Sequence, residues 1–312
     1  MPLPVGILYE HPEWFTPLFA ELDRHEIPYE KLDATQLVFD PADREPAHSL
    51  VVNRMSPSAW TRGNERAIFH TLHYLAHLER IGARVLNGLP AYELELSKAR
   101  QASLLAELGV PHPRTRVLSD PGGAADAAAG LEFPLLVKPN IGGSGAGIRS
   151  FASLEELAAA DLDGGLDRTL VLQEHLPASG ESIVRVEILG GEFLYAIRIL
   201  LLPGSFNLCP ADYCALPGVA DGVSGRGLPI EAYQPPSPVI DDAKRIVAAA
   251  GMDLGGVEYL VNARDGQPTF YDINALSNFV ANPREVVGFD PFVNLVDLIE
   301  RRALHAAPAA AA

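Results

Sequence analysis

A short glycine-rich stretch limits the fold of this chain more than any other feature. Residues 135–148 read Leu-Leu-Val-Lys-Pro-Asn-Ile-Gly-Gly-Ser-Gly-Ala-Gly-Ile. The apolar, partly β-branched start predicts a buried strand, and Pro139 ends its regular pairing because proline has no N–H for the ladder. We therefore expect Lys138 to be held at the end of this strand.

The residues after this strand predict a loop that wraps an anion. Without Cβ atoms, the backbone N–H groups of the loop can approach a ligand closely, and Ser144 adds a hydroxyl. Residues 148–152 predict a second strand, so that the whole stretch forms a hairpin lid over phosphates. A glycine-rich surface turn is the alternative. The glycines concerned are Gly142, Gly143, Gly145 and Gly147.

Two well-known phosphate loops do not fit this spacing. A Walker loop places Lys and Ser or Thr after the last glycine, whereas Lys138 precedes the first one. A Rossmann fingerprint opens directly into a helix, whereas residues 148–152 read Ile-Arg-Ser-Phe-Ala and favour a strand. The stretch therefore represents a different class of phosphate site.

Composition limits the class of protein. A chain of 312 residues is long enough for two or three domains with a large core. Hydrophobic residues make up 48% and charged residues 21%, and no apolar run approaches the roughly 20 residues of a membrane span. The amino end lacks the basic region of a signal peptide, so we expect a soluble, cytoplasmic protein with no membrane partner.

Charge and cysteine content exclude further classes. A formal net charge of −16 disfavours a nucleic-acid partner, because binding along a duplex needs a basic face. A single nucleotide needs only a few local cations and metal ions. Cys209 and Cys214 have no nearby histidine to complete a zinc set, so both are predicted to be reduced thiols. A homo-oligomer is compatible with the sequence, which does not determine the oligomeric state.

The first 90 residues predict a doubly wound α/β domain, because short apolar runs alternate with amphipathic helical patterns. Arg54 follows a predicted strand at residues 50–53, where ligands of such sheets gather, and is a candidate substrate contact. A trio of histidines on one helix, His70, His73 and His77, has no carboxylate partner nearby, which makes metal binding the less favoured interpretation.

Further along the chain, we expect one helix over residues 92–108 with Lys98 inside it. Residues 203–238 are rich in Pro and Gly and predict a long loop that either covers a substrate or is disordered. The remaining pattern predicts strands at 85–89, 114–118, 170–176, 183–188, 193–202, 257–263 and 269–273, and helices at 122–130, 153–160, 241–250 and 292–304.

The last predicted hairpin carries candidate metal ligands. Glu258 and Asp272 are expected to face each other across it. Asn274 lies two residues beyond Asp272, so the pleat turns both side chains to the same face. Hard oxygen ligands of this kind suit Mg²⁺, which could bridge nucleotide phosphates. The alternative is a solvated hairpin face with two acids.

Four segments in this order resemble the ATP-grasp superfamily, and within it ribosomal-protein glutamate ligases and D-alanyl-D-alanine ligases. The segments are Ser-Lys98-Ala-Arg, Leu-Val-Lys138-Pro with the glycine lid, Gln173-Glu174-His175-Leu176, and Glu258 with Asp272-Ile-Asn274. The resemblance implies an α/β fold in which a doubly wound amino-terminal domain, residues 1–90, precedes two subdomains that clamp ATP. A central subdomain, residues 91–173, would carry the lid, and a carboxyl-terminal one, residues 174–312, the metal site.

The resemblance also implies roles for single residues. Lys98 and Lys138 would hold the phosphates of ATP, as compact positive charges do. Two Mg²⁺ ions, for which Mn²⁺ is a substitute, would bind Glu258, Asp272 and Asn274. The adenine would meet the hinge, which comprises Gln173, Glu174, His175 and Leu176, and the ribose would meet Glu181.

For catalysis, the resemblance indicates Arg185 at the phosphoryl group or the developing oxyanion, with Arg198 as a second candidate. A structural ion pair between Arg185 and Glu187 is the alternative. The family usually has Glu-x-Asn followed by a small residue, Pro and Gly, whereas this chain has Asp272-Ile-Asn274-Ala-Leu-Ser-Asn. This departure leaves the substrate open, with Ser277 and Asn278 as candidate contacts.

The implied reaction is ATP-dependent ligation of a carboxylate to an amine through an acyl-phosphate, with release of ADP and phosphate. The substrate would be an amino acid, a peptide or a small metabolite. An ATP-grasp kinase and a nucleotide-binding module without catalysis are the alternatives. The module is disfavoured because an inactive site has no need of Lys98, Lys138, Glu258, Asp272 and Asn274 together.

Overall fold

A computed structural model of the protein describes residues 3–201 and 229–304. Cys209, Cys214 and most of the predicted loop at 203–238 lie outside the described residues. The described part contains three sheets, whose strands lie within residues 5–86, 115–174 and 182–274. The mixed α/β architecture agrees with the predicted fold class. No helix in these residues has the length and apolar character needed to cross a bilayer.

The amino-terminal sheet is parallel, with strand order β2-β1-β3-β4. Its central strands are buried throughout, because α2 covers one face while α1 and the carboxyl-terminal helix α9 cover the other. Helices thus lie on both faces of a parallel sheet, which is the arrangement of a doubly wound domain. Its elements are β1 (Val5–Tyr9), α1 (Thr16–Arg24), β2 (Tyr29–Asp33), β3 (Leu50–Asn53), α2 (Glu65–Arg80) and β4 (Val85–Leu86), with α9 at Pro291–Leu304.

The single helix expected over residues 92–108 is wrong. The structure has α3 (Leu89–Glu95) and α4 (Lys98–Glu107), separated by a break at Ser97. Ser97 has extended backbone angles, and its hydroxyl accepts a hydrogen bond from the backbone N–H of Arg100 at 3.2 Å. A serine in this position caps a new helix. Lys98 therefore begins a helix instead of lying inside one.

The central sheet contains the predicted lid. The order of its antiparallel strands is β5-β8-β6-β7, and Leu135, Leu136 and Val137 pair with residues 151, 150 and 149. The glycine-rich loop thus joins two paired strands, as the sequence predicts. The elements are β5 (Thr115–Leu118), α5 (Ala124–Ala127), β6 (Leu135–Pro139), β7 (Arg149–Phe151), α6 (Leu154–Ala158) and β8 (Leu170–Glu174).

The third sheet is antiparallel with strand order β11-β10-β9-β12-β13. One face packs against α4 and α7, and the other against the core shared with the amino-terminal domain. Its elements are β9 (Ser182–Leu189), β10 (Glu192–Leu200), β11 (Ile230–Ala232), α7 (Ser237–Ala249), β12 (Leu254–Val261) and β13 (Pro268–Asn274), followed by α8 (Pro283–Val286).

Two of these elements correct the long loop predicted at 203–238. Strand β11 pairs with Ile197, Arg198 and Ile199, and α7 begins at Ser237, four residues before the predicted start. Pro238 lies in the first turn of α7, where no backbone N–H is needed for the helix. The prolines that indicated a loop therefore mark a helix start. The predicted domain boundaries stay predictions; α4, placed in the central subdomain, packs on the third sheet.

Candidate functional site

A cleft of about 820 Å³ lies between the central sheet and the third sheet, with one wall from the amino-terminal domain. Most of the predicted site residues line it. They are Lys98, Lys138, Gly142, Gly143, Ser144, Gly145, Gln173, Glu174, His175, Leu176, Glu181, Arg185, Glu258, Asp272, Asn274 and Asn278. Segments that are up to 180 positions apart in the chain thus meet around one space.

Lys138 extends into the cleft from the end of β6. Its Nζ donates to Oε1 of Gln173 at 2.6 Å and lies 6.0 Å from the ring centre of Tyr271. Burial, and then repulsion from Lys98, lower the pKa of Lys138 to about 8. Burial destabilises the charged form of Lys138, and a bound anion would stabilise it. This position therefore suits a phosphate.

Lys98, at the start of α4, reaches the last hairpin. Its Nζ lies 2.7 Å from Oδ1 of Asp272. Burial lowers the pKa of Lys98, but the attraction of Asp272 outweighs it, and the pKa is raised. The two lysines thus differ in the structure: Lys98 has a carboxylate partner, and Lys138 is bonded to a neutral amide.

The hairpin β12–β13 brings the predicted metal ligands together. Glu258 lies opposite Asp272 in the ladder, and Nδ2 of Asn274 donates to Oδ2 of Asp272 at 3.1 Å. Glu258 accepts hydrogen bonds from Nη1 of Arg185 at 3.1 Å and from the hydroxyl of Tyr271 at 3.0 Å. The two carboxylates and the amide form a cluster of hard oxygen donors.

The protonation of the two acids reflects their different surroundings. Burial, and then repulsion from Asp272, raise the pKa of Glu258 to about 7. Burial also acts on Asp272, but Lys98 outweighs it and lowers the pKa of that carboxyl. A buried carboxylate, Glu258, next to a half-buried one, Asp272, fits a divalent ion, which would relieve their repulsion.

The glycine lid approaches the amino-terminal domain. Gly143 has φ +145°, and a Cβ atom there would lie 2.6 Å from Cβ of Ser58. Only a residue without a side chain fits so close to another backbone. Ser144 adopts a positive φ of 51° at the tip, and Ser58 itself lines the cleft. Gly147, at φ +75°, packs against Pro139 instead of lining the cleft.

The hinge segment lies at the end of β8. The carboxylate of Glu174 is turned away from the cleft, since it accepts from the N–H of Glu132 at 2.9 Å and lies 3.5 Å from Arg114. All four hinge residues nevertheless line the cleft in which the sequence places an adenine. Burial lowers the pKa of the adjacent His175. Glu181 is exposed at the rim, with φ +47°.

Arg185 is brought into the cleft, and Arg198 is not. Arg185 is 6% exposed and forms ion pairs with Glu187 at 2.6 Å and Glu258 at 3.1 Å. Opposite Arg185 in the ladder stands Ile197, so the side chain of Arg198 faces the other side of the sheet. There Arg198 pairs with Glu231 and lies over the ring of Tyr233. The expectation that Arg198 is catalytic is therefore not supported by its position.

Two candidate substrate contacts are buried behind the cleft wall. Arg54 is 1% exposed and donates through Nη2 to the backbone carbonyl of Ser277. Ser277 is 0% exposed, and its hydroxyl donates to Glu187 at 2.8 Å. Of the three candidates, only Asn278 lines the cleft. The sequence could not show this, because burial there depends on strands distant in the chain.

Sequence reasoning missed Glu95, which lines the cleft at the last position of α3. It accepts a hydrogen bond from the backbone N–H of Ala275, directly after β13. Burial is the main reason that its pKa is raised to about 7. In the sequence, Glu95 lies within a predicted continuous helix, where it cannot be distinguished from a surface acid. Trp14 and Ser58 of the amino-terminal domain also line the cleft, and the sequence did not indicate them as site residues.

Comparison with known sequences gives partial matches, and no protein-family model matches the chain. A D-alanine--D-alanine ligase of Ectopseudomonas mendocina is 39% identical over 129 residues, which are 41% of this chain and 40% of the relative. A probable alpha-L-glutamate ligase of Serratia proteamaculans is 26% identical over 240 residues, covering 75% of this chain and 73% of the relative. The first match thus spans well under half of either protein.

Solved structures match over nearly the whole chain. The ATP-grasp ligase PsnB complexed with a minimal precursor has a TM-score of 0.65 at 19% identity and covers 97% of this chain and 99% of its own. D-cycloserine synthetase DcsG has a TM-score of 0.67 at 18% identity, covering 96% and 99%.

A D-alanine--D-alanine ligase from Bacillus anthracis complexed with ATP has a TM-score of 0.64 at 15% identity and covers 97% of both chains. At these identities, the agreement concerns the fold alone. The resemblance predicted from the four sequence segments is confirmed. The chain therefore has the ATP-grasp fold, and its relatives in sequence and neighbours in structure include ATP-grasp ligases.

Proposed function

We propose that the protein is an ATP-dependent carboxylate-amine ligase that forms an amide bond and releases ADP and phosphate. The observation that carries this proposal is the convergence of both lysines, the lid, the hinge and the acid pair on one cleft. The fold and the partial sequence matches to D-alanine and glutamate ligases support it.

The distribution of charge favours cleavage at the terminal phosphate. Lys98 and Lys138 approach the cleft from two sides, and the acid pair lies beside Lys98. Electrostatic stabilisation is most effective where charge develops in the transition state. Groups gathered around the terminal phosphates assist transfer of the γ-phosphoryl group and not attack on the α-phosphorus. We therefore propose ADP and phosphate as products.

Glu258, Asp272 and Asn274 are the residues that would hold the metal ions. Two Mg²⁺ ions bound there would neutralise charge on the phosphates during transfer, and Mn²⁺ would serve as a substitute. Lys138 holds phosphate oxygens, while the backbone of the lid excludes water from them. Arg185 lies beside Glu258, where it can stabilise the oxyanion that forms when the amine adds to an acyl-phosphate.

The residues that line the cleft opposite the lid, together with the named relatives, indicate the substrate class. Trp14, Ser56 and Ser58 line the cleft from the amino-terminal domain, and Asn278 lines it from the segment after β13. The named relatives and neighbours act on amino acids or bind a precursor peptide. We therefore propose an amino acid or a peptide as the acid that is activated.

Trapping with hydroxylamine tests this function. The protein is incubated with ATP, Mg²⁺, hydroxylamine and each member of a panel of amino acids and dipeptides. We expect one class of acid to give a hydroxamate together with an equal amount of ADP, because hydroxylamine intercepts acyl-phosphates.

The nucleotide product separates the alternatives. AMP and pyrophosphate would contradict the proposed mechanism, and a phosphorylated product that resists hydroxylamine would favour a kinase. Replacement of Arg198 by Ala is the matched control for Arg185→Ala, because Arg198 lies on the opposite face of the same sheet. The Arg198 variant should retain hydroxamate formation, whereas the Arg185 variant should lose ligation to an amine.

A further inference from the structure

Arg185 has two anionic partners, Glu187 on its own strand β9 and Glu258 on the neighbouring strand β12. Its Nε donates to Glu187 at 2.6 Å, and its Nη1 donates to Glu258 at 3.1 Å. Glu258 is a proposed metal ligand, so a cation bound there would compete with Arg185 for the same carboxylate. The guanidinium then needs another anion that stays in place.

Glu187 has the properties of that permanent partner. It is 0% exposed and does not line the cleft, so it is available to neither substrate nor metal. An ionised carboxylate at this depth is stable only when it is paired and hydrogen-bonded. Its Oε1 accepts from both Arg185 and the hydroxyl of Ser277, which lies 2.8 Å away.

The backbone of β12 fixes where the guanidinium lies. Gly256 stands opposite Glu187 in the ladder, as Glu258 stands opposite Arg185. A Cβ atom on Gly256 would lie 2.5 Å from Nη2 and 2.6 Å from Nε of Arg185. The guanidinium therefore occupies the space that a side chain at position 256 would fill, and any other residue there would displace it.

We propose that Glu187, oriented by Ser277, is the positioning residue of Arg185. It holds the guanidinium over Gly256, so that Glu258 can exchange Arg185 for a divalent cation while Arg185 stays in the cleft. This inference rests on the proposed function. It adds Glu187 as the residue that keeps Arg185 and a metal ion from competing for Glu258.

Arg54 supports the same arrangement from the amino-terminal domain. It donates to the backbone carbonyl of Ser277 and so restrains the residue that orients Glu187. Nε and Nη1 of Arg54 have no hydrogen-bond partner among the described residues, and neither has Oε2 of Glu187. The negative charge of Glu187 attracts the positive charge of the Arg54 guanidinium. Arg54 and Ser277, expected to contact substrate, thus act from behind the cleft wall.

Metal binding tests this inference without knowledge of the substrate. Mn²⁺ is titrated into the protein saturated with the non-hydrolysable ATP analogue AMPPNP, and free Mn²⁺ is followed by electron paramagnetic resonance. In Glu187→Gln, Arg185 keeps Glu258 as its only anion, so Mn²⁺ should bind about tenfold or more weakly, as for other residues that support metal ligands.

If Glu187 acts through Arg185, removal of Arg185 should abolish the loss of Mn²⁺ affinity that Glu187→Gln causes. Arg185→Gln should bind Mn²⁺ at least as tightly as the wild type, and Arg185→Gln/Glu187→Gln should bind like Arg185→Gln alone. A double variant as weak as Glu187→Gln would overturn the inference, because the loss would then be structural. Unchanged Mn²⁺ affinity in Glu187→Gln would overturn it equally.

Two further variants keep the test decisive. Glu231→Gln removes the charge from a second arginine–glutamate pair of the same sheet, that with Arg198, and should leave Mn²⁺ affinity unchanged. Ser277→Ala removes one hydrogen bond to Glu187 and should weaken Mn²⁺ binding about threefold. If Glu187→Gln fails to fold, wild-type affinity in Ser277→Ala overturns the inference. Absence of Mn²⁺ binding in the wild type would refute the proposed metal site itself.

Discussion

The two sides of the cleft are built in different ways. On the lid side, the groups that meet the cleft come from one stretch, residues 136–150, which contributes the glycine loop and one lysine. On the hairpin side, they come from α3, α4, β9, β12 and β13, and the two acids of the β12–β13 hairpin, Glu258 and Asp272, are each paired with a cation from another segment. The lid side therefore depends on local conformation, and the hairpin side on long-range charge balance.

This difference predicts different responses to substitution. Loss of a charge on the hairpin side should affect several partners, because the ion pairs share members. A change on the lid side should act on the nucleotide alone. Variants that respond otherwise would show that the two sides are not independent.

The largest effect is expected on the hairpin side. Replacement of Glu258 or Asp272 by Ala should lower turnover about a thousandfold or more, because several kcal/mol of charge neutralisation are lost. The free energy of unfolding should change by less than about 2 kcal/mol, since Arg185 keeps Glu187. ADP release and thermal unfolding measure the two quantities.

The exposed acid Glu231 on β11 is the matched control for these variants, and Glu231→Ala should keep full turnover. Wild-type, Mg²⁺-dependent turnover in both Glu258→Ala and Asp272→Ala would remove the metal assignment.

Adjacent residues predict the lid side, whereas the sequence predicts the hairpin side only in part, and the reason is physical. The glycine loop and Lys138 are adjacent in the chain, so local conformation alone predicts their joint position. Arg198 was predicted in the site, but the strand register turns it to the opposite face. Arg54 and Ser277 carry polar groups typical of ligand contacts, yet strands from two domains bury them completely.

The predicted helices show the same limit on a smaller scale. Their apolar spacing was visible in the sequence, but the break at Ser97 was not, because Leu96 continues the apolar pattern of α3. That break places Lys98 next to Asp272. The helix cap at Ser97, inside a pattern that predicts one continuous helix, therefore determines where Lys98 lies in the site.

A second prediction compares the lysines. Lys138→Ala should weaken ATP binding by roughly 1 to 3 kcal/mol, the range for a hydrogen bond to a charged group. In the presence of EDTA, Lys98→Ala should have a smaller effect, because Asp272 already neutralises Lys98. Calorimetric titration with and without Mg²⁺ measures both, and equal losses in EDTA would contradict the distinction.

A third prediction concerns pH. The pKa of Lys138 is lowered to about 8, so the free protein loses this charge as the pH rises through that value. ATP affinity should therefore decline above a pH of about 8, and the decline cannot exceed the loss in Lys138→Ala. Lys138→Arg, which stays charged, should flatten the profile between pH 7 and 9.5. A decline that persists in Lys138→Arg would assign the titration to another group.

The smallest effect is expected at the lid tip, where the contact between the two domains is steric. A Cβ atom on Gly143 would lie 2.6 Å from Cβ of Ser58, and φ of Gly143 is +145°. Gly143→Ala should therefore weaken ATP binding by about 1 kcal/mol, since the lid can move away from Ser58 at the expense of its own contacts. The melting temperature should hardly change, because a loop tip opens locally without unfolding the core.

The double variant Gly143→Ala/Ser58→Gly separates the two causes of this loss. Removing the Ser58 side chain relieves the shortest contact but leaves the contacts to Cα and N of Ser58, at 2.8 and 2.9 Å, and the backbone strain, so only part of the ATP affinity should return. Ser58→Gly alone is the control and should bind ATP like the wild type, because the Ser58 hydroxyl bonds to Ser56 and Arg62. If the double variant binds ATP no better than Gly143→Ala, the contact with the Ser58 side chain does not limit lid closure, and the loss comes from backbone conformation and backbone contacts.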